Sequence, residues 1–454
     1  MSGLEAAVEK MRAEGLGDAA VQSFARQYER LRAGETGTLA ESAIEPVASL
    51  PDAEELTEAA GAALLDQAVV IKLNGGLGTS MGMTRAKSLL EVKDGKSFLD
   101  LIAEQILALR ERSGARLPLI LMSSFATRDD SLAALASYDD LSAGLAPDFV
   151  QNKVPKVRAD DLEPVSWDAD PGLEWAPPGH GDLYTALVTS GMLKDLLADG
   201  YRYAFVSNSD NLGAVLDPRI LAWFAASGAP FLMEVADRTS SDRKGGHLAR
   251  RASDGGLVLR EIAQTPDADV DAFQDTSKHR YFNTNTLWVD LHALRDVLGD
   301  DGVIDLPMIV NRKTVDPGDK GSTPVIQLET AMGAAIGVFE GAAALRVPRS
   351  RFVPVKTTND LLSLRSDAYV IGDGRAVFLA PERAGVPPFV DLDSDHYKLV
   401  ADFDARFAQG APSLVACDAL RVVGDVTFGA DVVVRGEVTV EGVETVPDGT
   451  VLEG

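Results

Sequence analysis

Hydrophobic positions recur with more than one period along the chain, and each period predicts a different element. Near the N-terminus Val21, Phe24, Ala25, Tyr28 and Leu31 follow one another at the spacing that lines one helix face, so residues 1–60 are expected to form a helical cover. A Glu-rich stretch with Pro46 and Pro51 ends that pattern. At Ala68–Leu73 a β-branched run, AVVIKL, leads into Asn-Gly-Gly, which reads as a strand entering a loop. Strand and helix signals then alternate, as they do where a parallel sheet carries helices on its faces. SLLEV (88–92) reads as a short strand. Ser97, with Asp100 three residues on, caps a helix FLDLIAEQILALRERSG that stops at Gly114. Leu117–Met122 is the next buried strand, DLYTALVTSGMLKDLLADG a single helix closed by Gly200, and YRYAFVSNSDN a strand that ends in a polar turn. Phe231–Ala236 and Leu257–Ala263 continue the sheet. Ligands of such sheets sit beyond the carboxyl ends of the strands, so polar loops directly after strands are where chemistry is expected.

The last stretch has a period of six. Leu420, Val426, Val432 and Val438 form one register and Val422, Phe428, Val434 and Val440 a second, while Gly424, Ala430, Gly436 and Gly442 keep small side chains in phase. Two interlocking registers of this kind predict a short parallel β-helix with its aliphatic rows turned inward. The alternative is ordinary two-residue alternation in an antiparallel hairpin. Three regions result: a helical segment at 1–60, a catalytic region at 61–370, and a C-terminal region at 371–454 ending in the hexads.

Composition narrows the partners more than the fold. With 69 Asp+Glu against 43 Lys+Arg the net charge of the 454-residue chain is −26, a field that repels nucleic acid and anionic membrane surfaces. Any phosphate must then be held by a local set of donors. Cys417 is the only cysteine, which excludes an intrachain disulfide framework and a Cys-cluster metal site. The charge-free stretch Ile220–Met233 is too short and too interrupted to span a membrane. Acids at Glu5 and Glu9 stand where a signal peptide needs basic residues, so a cytoplasmic location is expected.

The densest chemical signal runs from Lys72 to Ser88, KLNGGLGTSMGMTRAKS, a strand end followed by clustered glycines and then Arg85 and Lys87. Glycines after a strand let backbone N–H groups approach a phosphate or a flat base without a Cβ in the way, and the cations supply charge. Neither known fingerprint fits. Leu90 occupies the position where a P-loop ending in Gly95-Lys96-Ser97 needs its first glycine, and Met81 replaces the third glycine of GxGxxG.

This loop resembles the signature of the eukaryotic-type UTP:glucose-1-phosphate uridylyltransferases, also called UDP-glucose pyrophosphorylases. FVQNKVPKV, PPGHGDLY, VSNSDNLGA, KGGHLAR, FNTNTLWVDL, QLETAMGAAI and RFVPVKTTNDLL follow in the family's order across roughly residues 65–370. The resemblance implies an α/β fold, a Rossmann-like, glycosyltransferase-A-like mixed sheet flanked by helices, closed by a short left-handed parallel β-helix through which some relatives assemble. It implies UTP and glucose 1-phosphate as substrates, Mg²⁺ as cofactor, and in-line nucleotidyl transfer with no covalent intermediate.

The same resemblance implies the roles of individual residues. Leu73, Gly75 and Gly76 line the base and phosphates, and Lys87 contacts the phosphates. Gln151 reads the uracil edge, for which a side-chain amide has both donor and acceptor. Gly179 and His180 touch the nucleotide. Asn208 and Asp210 form the metal and sugar-phosphate turn, with Asp210 offering a hard oxygen to Mg²⁺. Gly246, Asn283 and Asn285 face the sugar, and period two on a strand puts both amides on one side. Lys356 is the second phosphate lysine. Thr84-Arg85 and Thr286 depart from the common motifs, which leaves Arg85 open as an extra phosphate contact. A non-catalytic sugar-nucleotide-binding regulator and a hexapeptide acyltransferase are the rival readings. Intact Lys87, Asp210 and Lys356 argue against the first, and the shortness of the repeat against the second.

Overall fold

The computed structural model describes residues 2–57 and 61–454. Its centre is a ten-stranded sheet. In spatial order the main path runs Ile44–Pro46, His247–Arg251, Tyr281–Asp290, Tyr203–Asn208, Ala68–Asn74, Leu119–Ser123 and Asp148–Val150. The last four strands are mutually parallel, whereas Tyr281–Asp290 runs antiparallel to Tyr203–Asn208 and to Phe231–Asp237. The sheet is therefore mixed.

Alternation along the Ala68–Asn74 strand explains why it is apolar on both sides. Ala68 and Val70 join a core with the Phe98–Ser113 helix, while Val69 and Ile71 join a second core with the helices around Leu183, Leu193 and Leu294. The Phe98–Ser113 helix begins at the expected capping box of Ser97 and Asp100 and ends at Gly114 with φ 72°. Register then aligns the strand ends. Leu73 lies opposite Asn208, Asn74 opposite Ser123, and Ser123 opposite Val150, so the segments that follow all four strands emerge side by side.

Three local expectations are corrected. The N-terminal cover is helical only over Gly3–Ala13 and Asp18–Arg32, which pack on a separate three-stranded sheet through Phe24, Met308 and Leu328. Residues 33–57 hold no α-helix, only 3-10 turns at Glu41–Ala43 and Ala53–Glu55, with Ile44–Pro46 pairing at the edge of the main sheet; Met1 and 58–60, which include the proposed boundary, lie outside the described residues. The DLYTALVTSGMLKDLLADG segment is two helices, Leu183–Thr189 and Met192–Ala198, because Gly191 takes φ 81° and Ser190 Oγ bonds back to the carbonyl of Ala186 at 2.6 Å. SLLEV contains a 3-10 turn at Lys87–Leu89, with strand only over Glu91–Lys93.

In the C-terminal region both hexad registers are buried, from Leu420 and Phe428 at 0% exposure to Val438 at 7%. Val422 pairs with Val440, Phe428 with Val446 and Val433 with Val451, all parallel and all three hexads apart, which excludes the antiparallel hairpin. These rows belong to the same apolar cluster as the Phe98–Ser113 helix. No helix among the described residues is long and apolar enough to cross a membrane. Ile220–Met233 is divided between the Pro218–Ser227 helix and the Phe231–Asp237 strand.

Candidate active site

The glycine loop leaves the sheet beside the Asn208 turn, with Leu73 accepting a hydrogen bond from the Ser209 N–H at 3.1 Å. Gly75 is where the loop meets the Gln151 side chain: a Cβ there would lie 3.0 Å from Gln151 Oε1. The absence of a side chain lets the amide sit against the loop backbone. Gly76 accepts the Lys87 N–H at 3.0 Å and so closes the loop, while a Cβ on Gly76 would meet nothing within 4 Å.

That closure delivers Lys87 to Asp210. Lys87 Nζ donates to Asp210 Oδ2 at 2.6 Å, in a pair whose side chains are only 18% and 22% exposed. The Asp210 carbonyl in turn accepts the Val355 N–H at 3.3 Å, and Asn211 bridges to Pro354. Lys356, remote in sequence, is thereby brought to the same place. It is exposed, with its ammonium 5.7 Å from the Phe352 ring centre.

A cleft of about 260 Å³ opens next to this pair, lined by Asn208, Asp210, Gly246, Asn283, Asn285 and Lys356 among others. The two asparagines share it, but regular strand alternation is not the cause. Register jumps between Glu234 and Val235, so Thr284 and Asn285 lie in a bulge, and Asn285 has φ 55°. Asn283 Nδ2 donates to Asn285 Oδ1, and the Asn285 N–H donates to Asn283 Oδ1, both at 2.9 Å. These bonds hold the amides together inside the bulge.

Of the residues expected at the nucleotide, Gln151 directly follows the Asp148–Val150 strand, while Gly179 and His180 lie against Thr330 and Met332. The Gln151 N–H donates to the Ser123 carbonyl at 2.8 Å. Its neighbour Asn152 donates twice to the buried Asp182, from the backbone at 2.6 Å and from Nδ2 at 2.9 Å, which ties the FVQNKVP and PPGHGD segments together. Burial pushes the Asp182 carboxyl up to about 7 in spite of these bonds. Gly179 has φ 78° and packs on the backbone of Thr330 where no Cβ fits. His180 Nδ1 accepts the Met332 N–H at 3.0 Å, so its proton resides on Nε2, and burial lowers its pKa to about 4. At neutral pH it is an uncharged donor.

Arg85 is not gathered into the site; it is 66% exposed and pairs with Asp130 at 3.2 Å. Glu261 belongs to the cleft although its sequence did not mark it. Its carboxylate lies against Gly246, where an added Cβ would come within 2.5 Å of it. Arg351 was missed too. It forks onto the fully buried Glu234 at 2.7 and 2.8 Å, and its carbonyl accepts from Asn211 Nδ2 at 3.1 Å, which supports the Asp210 turn from below. A lysine inside AVVIKL was the available signal for a third, Lys72.

Comparison with known proteins agrees with this geometry. The sequence model of the family described as UTP--glucose-1-phosphate uridylyltransferase matches residues 21–435. The enzyme of that name from Hordeum vulgare is 44% identical over 396 residues, covering 86% of this chain and 81% of its own. The Saccharomyces cerevisiae enzyme is 42% identical over 394 residues, covering 86% and 77%. Among solved structures, a mutant UDP-glucose pyrophosphorylase from Leishmania major in complex with UDP-glucose superposes with a TM-score of 0.94 at 47% identity, covering 100% of this chain and 98% of that one. With the sheet, the glycine loop and the polar cleft in place, and matches of this extent, the chain belongs to the UTP--glucose-1-phosphate uridylyltransferase family.

Proposed function

We infer that the chain catalyses UTP + glucose 1-phosphate ⇌ UDP-glucose + pyrophosphate. One observation carries the reading: the Lys87–Asp210 pair stands where the glycine loop, the sugar-sized polar cleft and the Lys356 segment converge. The base end of the nucleotide lies at Gly75 and Gln151, with Gly179 and the neutral His180 beside it, and the sugar phosphate enters the cleft at Asn208, Gly246, Asn283 and Asn285. An oxygen of glucose 1-phosphate attacks the α-phosphorus of UTP, the bond to the β-phosphate oxygen breaks, and pyrophosphate leaves. The attacking phosphate is already ionised, so no general base is required and no covalent enzyme intermediate forms. Entering phosphates draw Lys87 away from Asp210, and Lys356 meets them from the opposite segment. Catalysis is then positioning plus charge stabilisation.

Mg²⁺ is part of this proposal. The described residues hold no cluster of three or more His, Cys, Asp or Glu that could bind a metal alone, and Asp210 offers one hard carboxylate. That donor set fits an ion that keeps its waters and is shared with substrate phosphates. When bound, Mg²⁺ would neutralise phosphate charge. Pyrophosphate release from UTP with a panel of sugar 1-phosphates, with and without Mg²⁺, tests both points; release with glucose 1-phosphate alone or best supports the reading, and none with any sugar refutes it.

The finer architecture is proposed on the same footing: a glycosyltransferase-A-like catalytic domain over 61–370, and a C-terminal domain whose three-hexad parallel pairing supports a short left-handed β-helix. A cytoplasmic location, which the single buried cysteine fits, and assembly of subunits through that end are part of the same proposal.

A further inference from the structure

Lys72 is the one charged residue in the AVVIKL run, and at 2% exposure it is buried within the sheet's core. Its aliphatic stem fills space beside Val70, Ile102 and Phe205, a place that any apolar side chain of similar length would occupy at less cost. The amine explains the choice. Nζ donates to Ser207 Oγ at 2.7 Å and to the Ala214 carbonyl at 2.8 Å. Ser207 is the strand residue just before the Asn208–Asp210 turn, and Ala214 ends the loop after it, two residues beyond the buried Leu212. A single side chain thus joins the two ends of the loop that carries Asn208 and Asp210. Within the loop the bonds are short-range, from the Asn211 N–H to the Asn208 carbonyl at 3.3 Å and from the Ala214 N–H to the Asn211 carbonyl at 3.2 Å. Bonds from outside also hold the turn, the Ser209 N–H to the Leu73 carbonyl at 3.1 Å, the Val355 N–H to the Asp210 carbonyl at 3.3 Å and Asn211 Nδ2 to the Arg351 carbonyl at 3.1 Å, but each reaches one point of it and none joins its two ends.

We propose that Lys72 is a positioning residue, which clamps the 208–214 turn so that Asp210 stays within reach of Lys87 and of the reacting phosphates. This rests on the transferase reading of the site. Burial, with Arg351 nearby, lowers the Lys72 amine to about 7, against the opposing pull of Glu234 and Asp210. A neutral amine has two N–H groups for two acceptors, so the clamp is complete without a net charge.

The test uses the full-length enzyme with Lys72→Met, Ser207→Ala and the double variant. Misplacing a reacting group by about 1 Å commonly costs ~10²-fold, so Lys72→Met is expected to lower kcat by ~10- to 10²-fold. KM for UTP stays within about threefold, because the Lys72 amine bonds only Ser207 and Ala214 and neither belongs to the Gly75–Gln151 contact, a split that general loss of packing would not produce. Ser207→Ala lowers kcat less, and adds nothing in the Lys72→Met background, because both act through one clamp. Hydrogen exchange, which needs no substrate, should show faster exchange of the 209–214 amides in Lys72→Met with the Ala68–Asn74 strand still protected. A folded Lys72→Met with kcat within about twofold of wild type overturns the proposal. So does exchange that rises evenly across the sheet. Should Lys72→Met not fold, unchanged kcat and unchanged protection of 209–214 in Ser207→Ala overturn it equally. If the wild type makes no UDP-glucose, the catalytic reading has failed, and the exchange measurement decides the clamp by itself.

Discussion

Gln151 and Lys87 show how a single residue's surroundings set its task. The Gln151 amide rests against Gly75, where no Cβ intervenes, and its main chain is held by Ser123. Gln151→Glu replaces a donor by a charge that repels a uracil carbonyl, and loss of such a buried hydrogen bond costs ~1–3 kcal/mol. We expect the ratio of kcat/KM for UTP over CTP to fall by ~5- to 150-fold, measured by pyrophosphate release with each nucleotide. In the proposed mechanism Lys87 and Lys356 flank the place where phosphate charge shifts during transfer, and removing one preorganised contact of this kind commonly costs ~10²-fold in kcat. Lys87→Ala and Lys356→Ala should each show that loss with unchanged circular dichroism. Arg85→Ala, which removes only an exposed pair with Asp130, should remain near wild type. Near wild-type kcat in both lysine variants would remove the basis of the mechanism.

Among the elements, the extended segment after the N-terminal helices is held by Glu41. Its carboxylate takes Lys278 at 2.6 Å, His279 at 3.0 Å and the fully buried Arg260 at 2.5 Å. Burial alone would raise its pKa, but the bonds from Lys278, His279 and Arg260 outweigh that and bring it down to about 2 from 4.5. A carboxyl depressed on folding stabilises above its unfolded pKa and loses that contribution as pH falls through the folded one. The Glu41→Gln variant should therefore be less stable than wild type above pH 4.5, by the order of 2–3 kcal/mol, and the gap should close toward pH 2. Thermal unfolding of both proteins across that window measures it. A gap independent of pH would mean that Glu41 acts through packing instead.

One face of the sheet and the C-terminal rows share a single apolar cluster that runs from Ala53 through the Phe98–Ser113 helix to Val446. Val432→Asp puts a charge at a site 1% exposed, an expensive burial, and its effect should spread through the shared core. Calorimetry should show one transition moved down as a whole, with proteolysis opening both the C-terminal rows and the helix; an intact, separately melting sheet would show that the regions are independent. The amino-acid sequence alone determined what depends on neighbours along the chain. The Ser97–Asp100 cap, the Gly114 stop, the two-faced Ala68–Asn74 strand and both hexad registers all follow from local periodicity and local hydrogen bonds. It also marked most of the site, since motif residues keep their order whatever the distance between them. Tertiary structure decided what depends on partners brought from afar. A bulge set by the neighbouring Phe231–Asp237 strand turns Asn285 beside Asn283. Lys356 has no local pattern that singles it out, and the Asn211–Pro354 bridge together with the Val355 N–H bond to the Asp210 carbonyl brings it to Asp210. Glu261 was silent in the sequence, and the lysine inside AVVIKL marked Lys72 without disclosing its role, for the same reason: the function of a side chain follows from which polar groups face it, and those groups lie far along the chain, at Gly246, Ser207 and Ala214.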